Sequence, residues 1–255
     1  MLRTTCSLTS AFVAGLMILA PVAGAADKIP AAVSAAVADA GRPDADKQRD
    51  ADRKPAEVIA FAGIKKGDHV AELLPGGGYF TRIFSKVVGD QGVVYALAPP
   101  RRPNAPADAP DPAAAVTAIA ADYKNVKVAT LGADKLAPEP VDVVWTSLNY
   151  HDVHNRPNAD LAAFNKGVFD ALKPGGTYIV IDHAAEAGSG VRDTSTLHRI
   201  DVETVKTEVT AAGFKLEGHS DVLKNAQDPH TAGVRDATIR GKTDQFVLKF
   251  IKPKK

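Results

Sequence analysis

Side chains that can move a proton follow two apolar runs of the sequence. Tyr150, His151 and Asp152 come shortly after the run V-D-V-V-W-T-S-L, and Asp182 and His183 come after the run Y-I-V-I. Histidine and carboxylate groups are the usual general acids and bases of enzymes. If both runs are parallel strands, their carboxyl ends open on one crevice. We interpret His151 as a base or substrate contact, Asp152 as its orienting partner or a second base, and Tyr150 as a ring wall or hydroxyl contact, although each alone could instead cap a helix or brace a loop.

The same cluster also offers ligands for a divalent metal. Imidazole nitrogens and carboxylate oxygens both coordinate such ions. The candidate ligands are His151, Asp152, His154, Asp182 and His183. Their H-D-V-H spacing matches no zinc-finger or metalloprotease pattern, so the sequence favours a site without metal.

Two further polar groups lie later in the chain. His198, Arg199 and Asp201 are predicted on a late helix, either as a charged pair that faces the pocket or as an ordinary pair on the helix surface. The second group falls in a polar loop before the last predicted strand and could form a substrate lid. It consists of His230, Arg240, Lys242 and Asp244.

A glycine turn is the strongest local signal. The segment V-A-E-L-L-P-G-G-G-Y-F-T places three glycines, 76–78, between a strand ending at Glu72 and a helix opening at Tyr79. Glycine lets the backbone approach a ligand without a Cβ clash, and free N–H groups at a helix start face whatever binds there. The turn predicts a nucleotide-type pocket, although any sharp strand-to-helix corner also favours glycine.

Strand-like and helical periodicity alternate along the rest of the chain. The predicted strands are 69–74, 93–98, 126–131, 141–148, 178–182, 214–219 and 245–251, and the predicted helices include 79–88, 112–123, 158–172 and 194–212. This alternation predicts one α/β domain, a Rossmann-like doubly wound sheet with helices on both faces. Residues 99–112 hold six of the 17 prolines and predict a stiff loop, either a surface spacer or a pocket wall.

Several segments occur in an order that resembles a known family. They are E-x-x-x-G-x-G at the glycine turn, D-V-V-W-T-S-L-N-Y-H-D, L-K-P-G-G-x-Y-I-V-I-D and A-A-G-F. Together they resemble class I S-adenosylmethionine-dependent methyltransferases from about Lys54 to Lys252. The sequence is similar in particular to exported members that carry D-T-x-x-L-H-R-I-D and R-G-K-T-D-Q-F, here 193–201 and 240–246. The resemblance implies about seven mostly parallel strands, the last of them antiparallel.

The resemblance also implies S-adenosyl-L-methionine as cofactor and a set of residues around it. Glu72 and the glycine backbone would hold its methionine end, and Asn149 would lie beside the sulfonium. The implied cofactor residues are Glu72, Pro75, Gly76, Gly77, Gly78, Tyr79, Ala98 and Asn149. The chain departs from the family pattern twice. Leu74 replaces the first glycine of the turn, and Ala98 replaces the acid that holds the ribose hydroxyls, a contact whose loss could cost about 1.5 to 3 kcal/mol of binding.

The N-terminus is typical of a secretory signal. Arg3 precedes an apolar stretch, Ala11 to Ala20, that is too short for the roughly 20 residues of a membrane span. Small residues then predict cleavage after Ala25 or one residue later. We therefore interpret 1–26 as a signal peptide, which predicts a periplasmic or extracellular protein. A buried N-terminal helix is the alternative.

The mature chain is predicted to have two parts. Residues 27–52 form a loosely attached, flexible leader rich in Ala and Asp, and residues 53–255 form the methyltransferase-like domain. The only cysteine, Cys6, falls within the predicted signal, which excludes a disulfide framework and a cysteine-bound metal in the mature protein.

The amino-acid composition limits the kinds of partner that we expect for this protein. Among 255 residues, 31 Lys and Arg stand against 30 Asp and Glu, and 45% of residues are hydrophobic. This balance argues against a nucleic-acid binder and against a disordered chain. The expected partner is a small-molecule substrate, with no nucleic acid and no stable membrane anchor.

The residues favour a methyltransferase for a small molecule. Export argues against turnover, because the cofactor is made in the cytosol. One alternative is a non-catalytic ligand-binding protein that retains the fold, which Leu74 and Ala98 would suit. The other is a metal-dependent enzyme that uses the cluster of His151, Asp152, Asp182 and His183.

Overall fold

The computed structural model describes residues 28–102, 104–132 and 135–254. The predicted signal peptide and Cys6 lie outside the described residues. No helix in the described part of the chain combines the length and the apolar character that a membrane span requires.

Helices and strands alternate through most of the described chain. The strands are β1 (His69–Leu73), β2 (Val93–Ala98), β3 (Val126–Thr130), β4 (Val141–Ser147), β5 (Leu172–His183), β6 (Lys215–Ser220) and β7 (Gln245–Ile251). The helices are α1 (Ala31–Val37), α2 (Asp44–Lys47), α3 (Asp50–Arg53), α4 (Pro55–Ala62), α5 (Tyr79–Val88), α6 (Ala114–Asp122), α7 (Tyr150–His154), α8 (Leu161–Ala171) and α9 (Val202–Ala211).

The strands form one seven-stranded sheet in the order β3-β2-β1-β4-β5-β7-β6. The first five strands of this order are parallel, and β7 runs antiparallel to both of its neighbours, β5 and β6. The predicted doubly wound α/β sheet with an antiparallel last strand is therefore confirmed. The order reverses between β1 and β4, and this point opens a crevice at the carboxyl ends of the two strands.

Both faces of the sheet are covered, because alternate residues of its central strands enter different core clusters. On β1, Val70 packs in one cluster, whereas Ala71 and Leu73 pack in the other. In the first cluster the ring of Trp145 lies 4.9 Å from that of Phe80. Strands buried on both faces carry nearly continuous apolar sequence, which explains why they could be located from the sequence.

The segment 28–52 packs on the domain, so the prediction of a loosely attached leader is wrong. Val33 of α1 is buried in the same cluster as the residues of α5. The guanidinium of Arg42 donates to both carboxylate oxygens of Asp50, at 2.8 and 2.7 Å, and the hydroxyl of Tyr79 donates to Asp50 at 2.6 Å. Alanines allow close helix contacts without large apolar side chains, and the sequence therefore looked like a weakly packed segment.

The late helix is shorter than predicted. Helix α9 begins at Val202, where the carboxylate of Asp201 caps it by accepting from the N–H of Glu203. His198 has a φ of 55°, which is incompatible with a continuous right-handed helix. The predicted helix pair of His198, Arg199 and Asp201 therefore does not form. Helix α7, which carries Tyr150, His151 and Asp152, was not predicted from the sequence.

We expect Asp50→Asn to show that residues 28–52 belong to the folded unit. The change leaves the guanidinium of Arg42, whose side chain is 1% exposed, without its anion. The free energy of unfolding should fall by about 2 kcal/mol in urea titrations. Asp44→Asn is the matched control, because that carboxylate is 91% exposed, and its effect should stay below about 0.5 kcal/mol. If the two changes lowered the free energy of unfolding equally, the prediction of a loosely attached leader would stand.

Candidate functional site

The glycine turn lies at the point where the strand order reverses. Gly76 and Gly77 are exposed, and a Cβ built on either residue would meet no heavy atom within 4 Å. Among the described residues, no group accepts a hydrogen bond from either N–H. The turn therefore offers two donors and open space at the start of the ten-residue helix α5, as a ligand-binding turn requires.

Other residues of the turn fix its shape. Gly78 has a φ of 74°, and a Cβ there would lie 2.1 Å from the Cδ1 of Ile119, so both its backbone conformation and the side chain of Ile119 favour glycine. Leu74 has a φ of 53°, a conformation that favours glycine, and its partly buried side chain packs against the core cluster that contains Tyr150. The departure at Leu74 thus keeps a glycine-like backbone. Pro75 contributes its carbonyl, which accepts from the N–H of Gly78 at 2.9 Å.

Glu72 lies beneath the turn and braces helix α5. Its side chain is buried, and the hydroxyl of Thr81 donates to it at 2.5 Å. Burial raises the pKa of Glu72 to about 8, so the carboxyl is largely protonated at neutral pH. The structure therefore gives Glu72 a bracing contact, and its predicted contact with the cofactor stays a prediction. Tyr79 is also buried, with its hydroxyl bonded to Asp50.

The neighbouring strand end carries no acid. Ala98 is buried, and its carbonyl accepts from the N–H of Leu131 at 2.7 Å. The proline-rich loop that follows is tied to itself by the guanidinium of Arg101, which donates to the carbonyls of Pro106, Ala107 and Ala109. The edge of β2 consequently supplies main-chain groups and no side-chain carboxylate to the crevice.

Asn149 connects the glycine turn to the end of β4. Its side-chain amide donates to the carbonyls of Ser147 at 2.7 Å and of Leu74 at 3.3 Å. Adjacent strands lie about 4.8 Å apart, so the turn after β1 and the end of β5 are separated by about 10 Å. The crevice can therefore hold one ligand that reaches from the turn to the polar residues after β4 and β5.

A buried hydrogen-bonded pair lies at the end of β5. The Nδ1 of His151 is 2.8 Å from the Oδ1 of Asp182, and the backbone N–H of His151 donates to Oδ2 at 2.8 Å. The carboxylate can only accept, so Nδ1 carries the proton and Nε2 of the neutral ring keeps its lone pair. Asp182, rather than the predicted Asp152, is thus the orienting partner of His151.

The negative charge of Asp182 also affects the pKa of His151. Burial acts to lower the pKa of His151, but the charge and hydrogen bond of Asp182 outweigh it, with a further contribution from Asp152. The pKa of His151 is therefore raised above its ordinary value. Such a group can accept a proton or coordinate an electrophile at Nε2.

Asp152 and His198 meet at the Nε2 side of this ring. The Oδ1 of Asp152 lies 3.4 Å from His151 Nε2 and 3.4 Å from His198 Nδ1. His198 comes from the loop between β5 and α9, so the sequence interpretation of this residue on a helix missed its place in the site. The motif D-T-x-x-L-H-R-I-D, which contains it, is the signal that could have identified it.

The structure does not bring the remaining candidates into this cluster. The hydroxyl of the buried Tyr150 donates to Glu208 at 2.8 Å and accepts from Asn165. It is therefore engaged within the protein, and the role of Tyr150 as a ring wall or hydroxyl contact for a ligand stays a prediction. His154 also lies against Glu208, at 3.2 Å. The Nδ1 of His183 is 2.7 Å from the hydroxyl of Thr243, and burial lowers the pKa of His183 to about 4. The predicted set of five metal ligands therefore does not converge.

The predicted lid residues are mostly structural. His230 Nε2 lies 3.0 Å from a carboxylate oxygen of Asp244, and the N–H of Asp244 donates to Asp228 at 2.6 Å. Asp228 in turn pairs with the fully buried Arg199 at 2.8 Å. Among the described residues, neither Arg240 nor Lys242 forms an ion pair. This part of the loop fixes the backbone around the site.

Arg53 is a residue near the crevice that the sequence did not indicate. Its guanidinium carbon lies 4.5 Å from the ring centre of Tyr79 and 4.9 Å from that of Phe80, and a terminal nitrogen lies 3.4 Å from the hydroxyl of Ser147 at the end of β4. Burial lowers the pKa of Arg53 to about 10. Within the described ranges, no carboxylate oxygen lies within 4 Å of this cation.

Two surface cavities lie away from this site. Cavities of about 450 and 650 Å³ open beside α5 and α6. Neither is lined by the glycines of the turn, by His151 or by Asp152. The chemical groups at the crevice and its place in the fold therefore identify the candidate site.

Comparisons with known proteins agree on the fold. No family model and no curated protein matches the chain. A SAM-dependent methyltransferase from Aquifex aeolicus is 18% identical, with 83% of this chain and 98% of that chain covered and a TM-score of 0.56. An arsenic(III) S-adenosylmethionine methyltransferase from Chlamydomonas reinhardtii is 19% identical, with coverages of 88% and 74% and a TM-score of 0.53.

A third similar structure carries a different activity in its name. The [4+2]-cyclase SpnF is 17% identical, with 83% of this chain and 82% of that chain covered and a TM-score of 0.53. Together these similarities establish a Rossmann-like fold of the class I methyltransferase type. No comparison supports the exported subgroup.

Proposed function

We propose that this chain is an S-adenosylmethionine-dependent methyltransferase that acts on a small molecule outside the cytoplasm. The observation that carries the proposal is the exposed glycine turn with two free N–H donors at the reversal of strand order, in a fold shared with such enzymes. Because a fold alone does not define a reaction, the proposal depends on the groups that surround this turn.

The residues around the turn fit the polar amino-acid end of the cofactor. Gly76 and Gly77 supply N–H donors and leave the space that a Cβ would fill. When bound, the cofactor supplies an electrophilic methyl group on its sulfonium. At the ribose, Ala98 offers no carboxylate, so we expect binding to be weaker by about 1.5 to 3 kcal/mol than with an acid there.

Arg53 is suited to bind the carboxylate of the same amino-acid end. Partial burial of a cation without an anion is unfavourable, and the structure holds this guanidinium on Tyr79 and Phe80, the first residues of α5. Arginine matches a carboxylate with two parallel hydrogen bonds. A carboxylate ligand would therefore complete the environment of Arg53.

The acceptor would bind near His151. Methyl transfer depends mainly on the alignment of the acceptor with the methyl group, and a base is needed only if the acceptor is protonated. Asp182 holds the imidazole so that the lone pair of Nε2 lies beside Asp152 and His198. This lone pair is the reactive group that the chain offers to the acceptor.

A non-catalytic binding protein with the same fold is the second candidate. Glu72 is committed to Thr81, and Ala98 supplies no carboxylate, so neither of these two described positions offers a free acid at the ends of β1 and β2. Such a protein would bind a ligand at the turn and transfer no methyl group.

We expect Gly77→Val to remove cofactor binding without unfolding the chain. The position is open and has no positive φ, so valine fits the fold but occupies the space at the turn. Its dissociation constant for S-adenosylhomocysteine, measured by calorimetry, should rise at least about tenfold, or about 1.4 kcal/mol. The free energy of unfolding without ligand should change by less than about 0.5 kcal/mol.

The matched control for this experiment is Gly233→Val. Gly233 is another open glycine without a positive φ, and its variant should bind as the unmodified protein does. If the unmodified protein binds no S-adenosylhomocysteine at millimolar concentration, the proposed function is wrong.

Arg53→Met should weaken the binding only of those ligands that carry the amino-acid end of the cofactor. We expect affinity for S-adenosylhomocysteine to fall about 10- to 100-fold, in line with the loss of a charged hydrogen-bonded pair. Affinity for methylthioadenosine, which lacks the carboxylate, should be unchanged. Arg49→Met is the control, because Arg49 is exposed and lies 5.5 Å from the ring of Tyr79. An equal loss for both ligands would contradict the assigned contact.

Export predicts a shortened mature chain. When the protein is produced with its full sequence in a bacterial host, the intact mass of the periplasmic or secreted product should correspond to a start at Ala26 or Asp27. Ala25→Leu combined with Ala26→Leu should block both cleavages, since signal peptidases require a small residue directly before the cut. Full-length protein confined to the cytosol would contradict the proposed location.

A further inference from the structure

We propose that His151 Nε2, Asp152 Oδ1 and His198 Nδ1 form a binding site for one divalent transition-metal ion of the zinc type. This site goes beyond the proposed function, because metal binding can be tested without the cofactor. It also differs from the set that the sequence suggested, since Asp182 and His183 do not coordinate in it and His198 does.

The spacing of the three atoms fits coordination better than hydrogen bonding. Both histidine nitrogens lie 3.4 Å from the same oxygen of Asp152, and all three atoms lie within 4.8 Å of one another. An N–H···O hydrogen bond would be near 2.9 Å. Ligands placed about 2.0 to 2.1 Å from a tetrahedral zinc ion are about 3.4 Å apart.

Asp182 prepares His151 as a ligand. It accepts from Nδ1 of His151 at 2.8 Å and also from the backbone N–H groups of His151 and His183 at 2.8 Å. These contacts fix the carboxylate and leave Nε2 as the free nitrogen of the ring. A carboxylate behind a histidine in this way is the usual arrangement around metal-bound histidines.

His198 is held in place by its buried neighbour. The guanidinium of Arg199 donates to the carbonyls of Ala184 and Ala232 and pairs with Asp228, and both charged side chains are fully buried. The backbone of His198 is thereby fixed with a φ of 55°. The loop between β5 and α9 therefore presents the imidazole of His198 at a defined position, beside the two ligands from α7.

The site has room for a further ligand. The side chains of Asp152 and His198 are 46% and 31% exposed, so one side of the group is open to solvent. Three protein ligands with an open position are typical of catalytic metal sites, whereas structural zinc sites are closed by four. If the proposed function holds, an oxygen of the acceptor would occupy this position. The metal would then promote its deprotonation, in place of the lone pair of His151 Nε2, which coordinates the ion.

Metal titration of the full mature chain tests the proposal. After dialysis against EDTA, calorimetry with Zn²⁺ should show one saturable site per chain, and Co²⁺ should give the visible absorption of a low-symmetry, four- or five-coordinate ion. Asp152→Ala and His198→Asn should each weaken Zn²⁺ binding at least about tenfold. Asparagine is chosen at 198 because it tolerates a positive φ. Asp182→Asn should weaken binding about 10- to 100-fold through the orientation of His151.

His154→Ala is the matched control. This histidine lies on the same short helix but contacts Glu208, so its removal should leave Zn²⁺ affinity within about twofold of the unmodified chain. The absence of a one-to-one site, or a site that survives both Asp152→Ala and His198→Asn, would overturn the proposal. Zn²⁺ binding in a chain that does not bind S-adenosylhomocysteine would support the metal site and refute the proposed function.

Discussion

The reversal of strand order between β1 and β4 is the constraint from which the candidate site follows. Chain crossovers leave this point in opposite directions, which opens a crevice at the carboxyl ends of the two strands. The sharp corner after β1 must then place a helix start beside an open crevice. Glycines at 76 and 77 keep that corner unobstructed, whereas Gly78 is favoured by its positive φ and by the nearby side chain of Ile119.

Buried polar pairs fix the other side of the crevice. The carboxylate of Asp182 accepts from the ring and backbone of His151, and Arg199 with Asp228 anchors the loop that carries His198. Breaking such pairs is costly because each partner would be left buried with an unsatisfied charge. His151 and Asp152 of α7 and His198 of the loop before α9 are therefore held at defined distances, although they do not share one helix or strand.

The N-terminal segment is part of the same construction. Helices α1 to α3 lie against α5, where Arg42 and Asp50 form a largely buried ion pair and Arg53 lies over the rings that begin α5. The segment thus brings a cation to the glycine turn. Its small residues pack closely and its charged residues form ion pairs. The same residue types are also common in weakly ordered segments, so composition alone did not reveal the packing.

The sequence by itself determined the sheet, the glycine turn and the residues that end β4 and β5. Continuous apolar strands and glycine corners are local patterns, because each depends on neighbours within a few residues. The tertiary structure alone decided that Asp182 orients His151, that Tyr150 turns toward Glu208, and that His198 and Arg53 reach the site. Those contacts join residues that are 26 to 94 positions apart in the chain. No local pattern encodes such pairings, since they depend on how strands, helices and loops meet after the whole chain has folded.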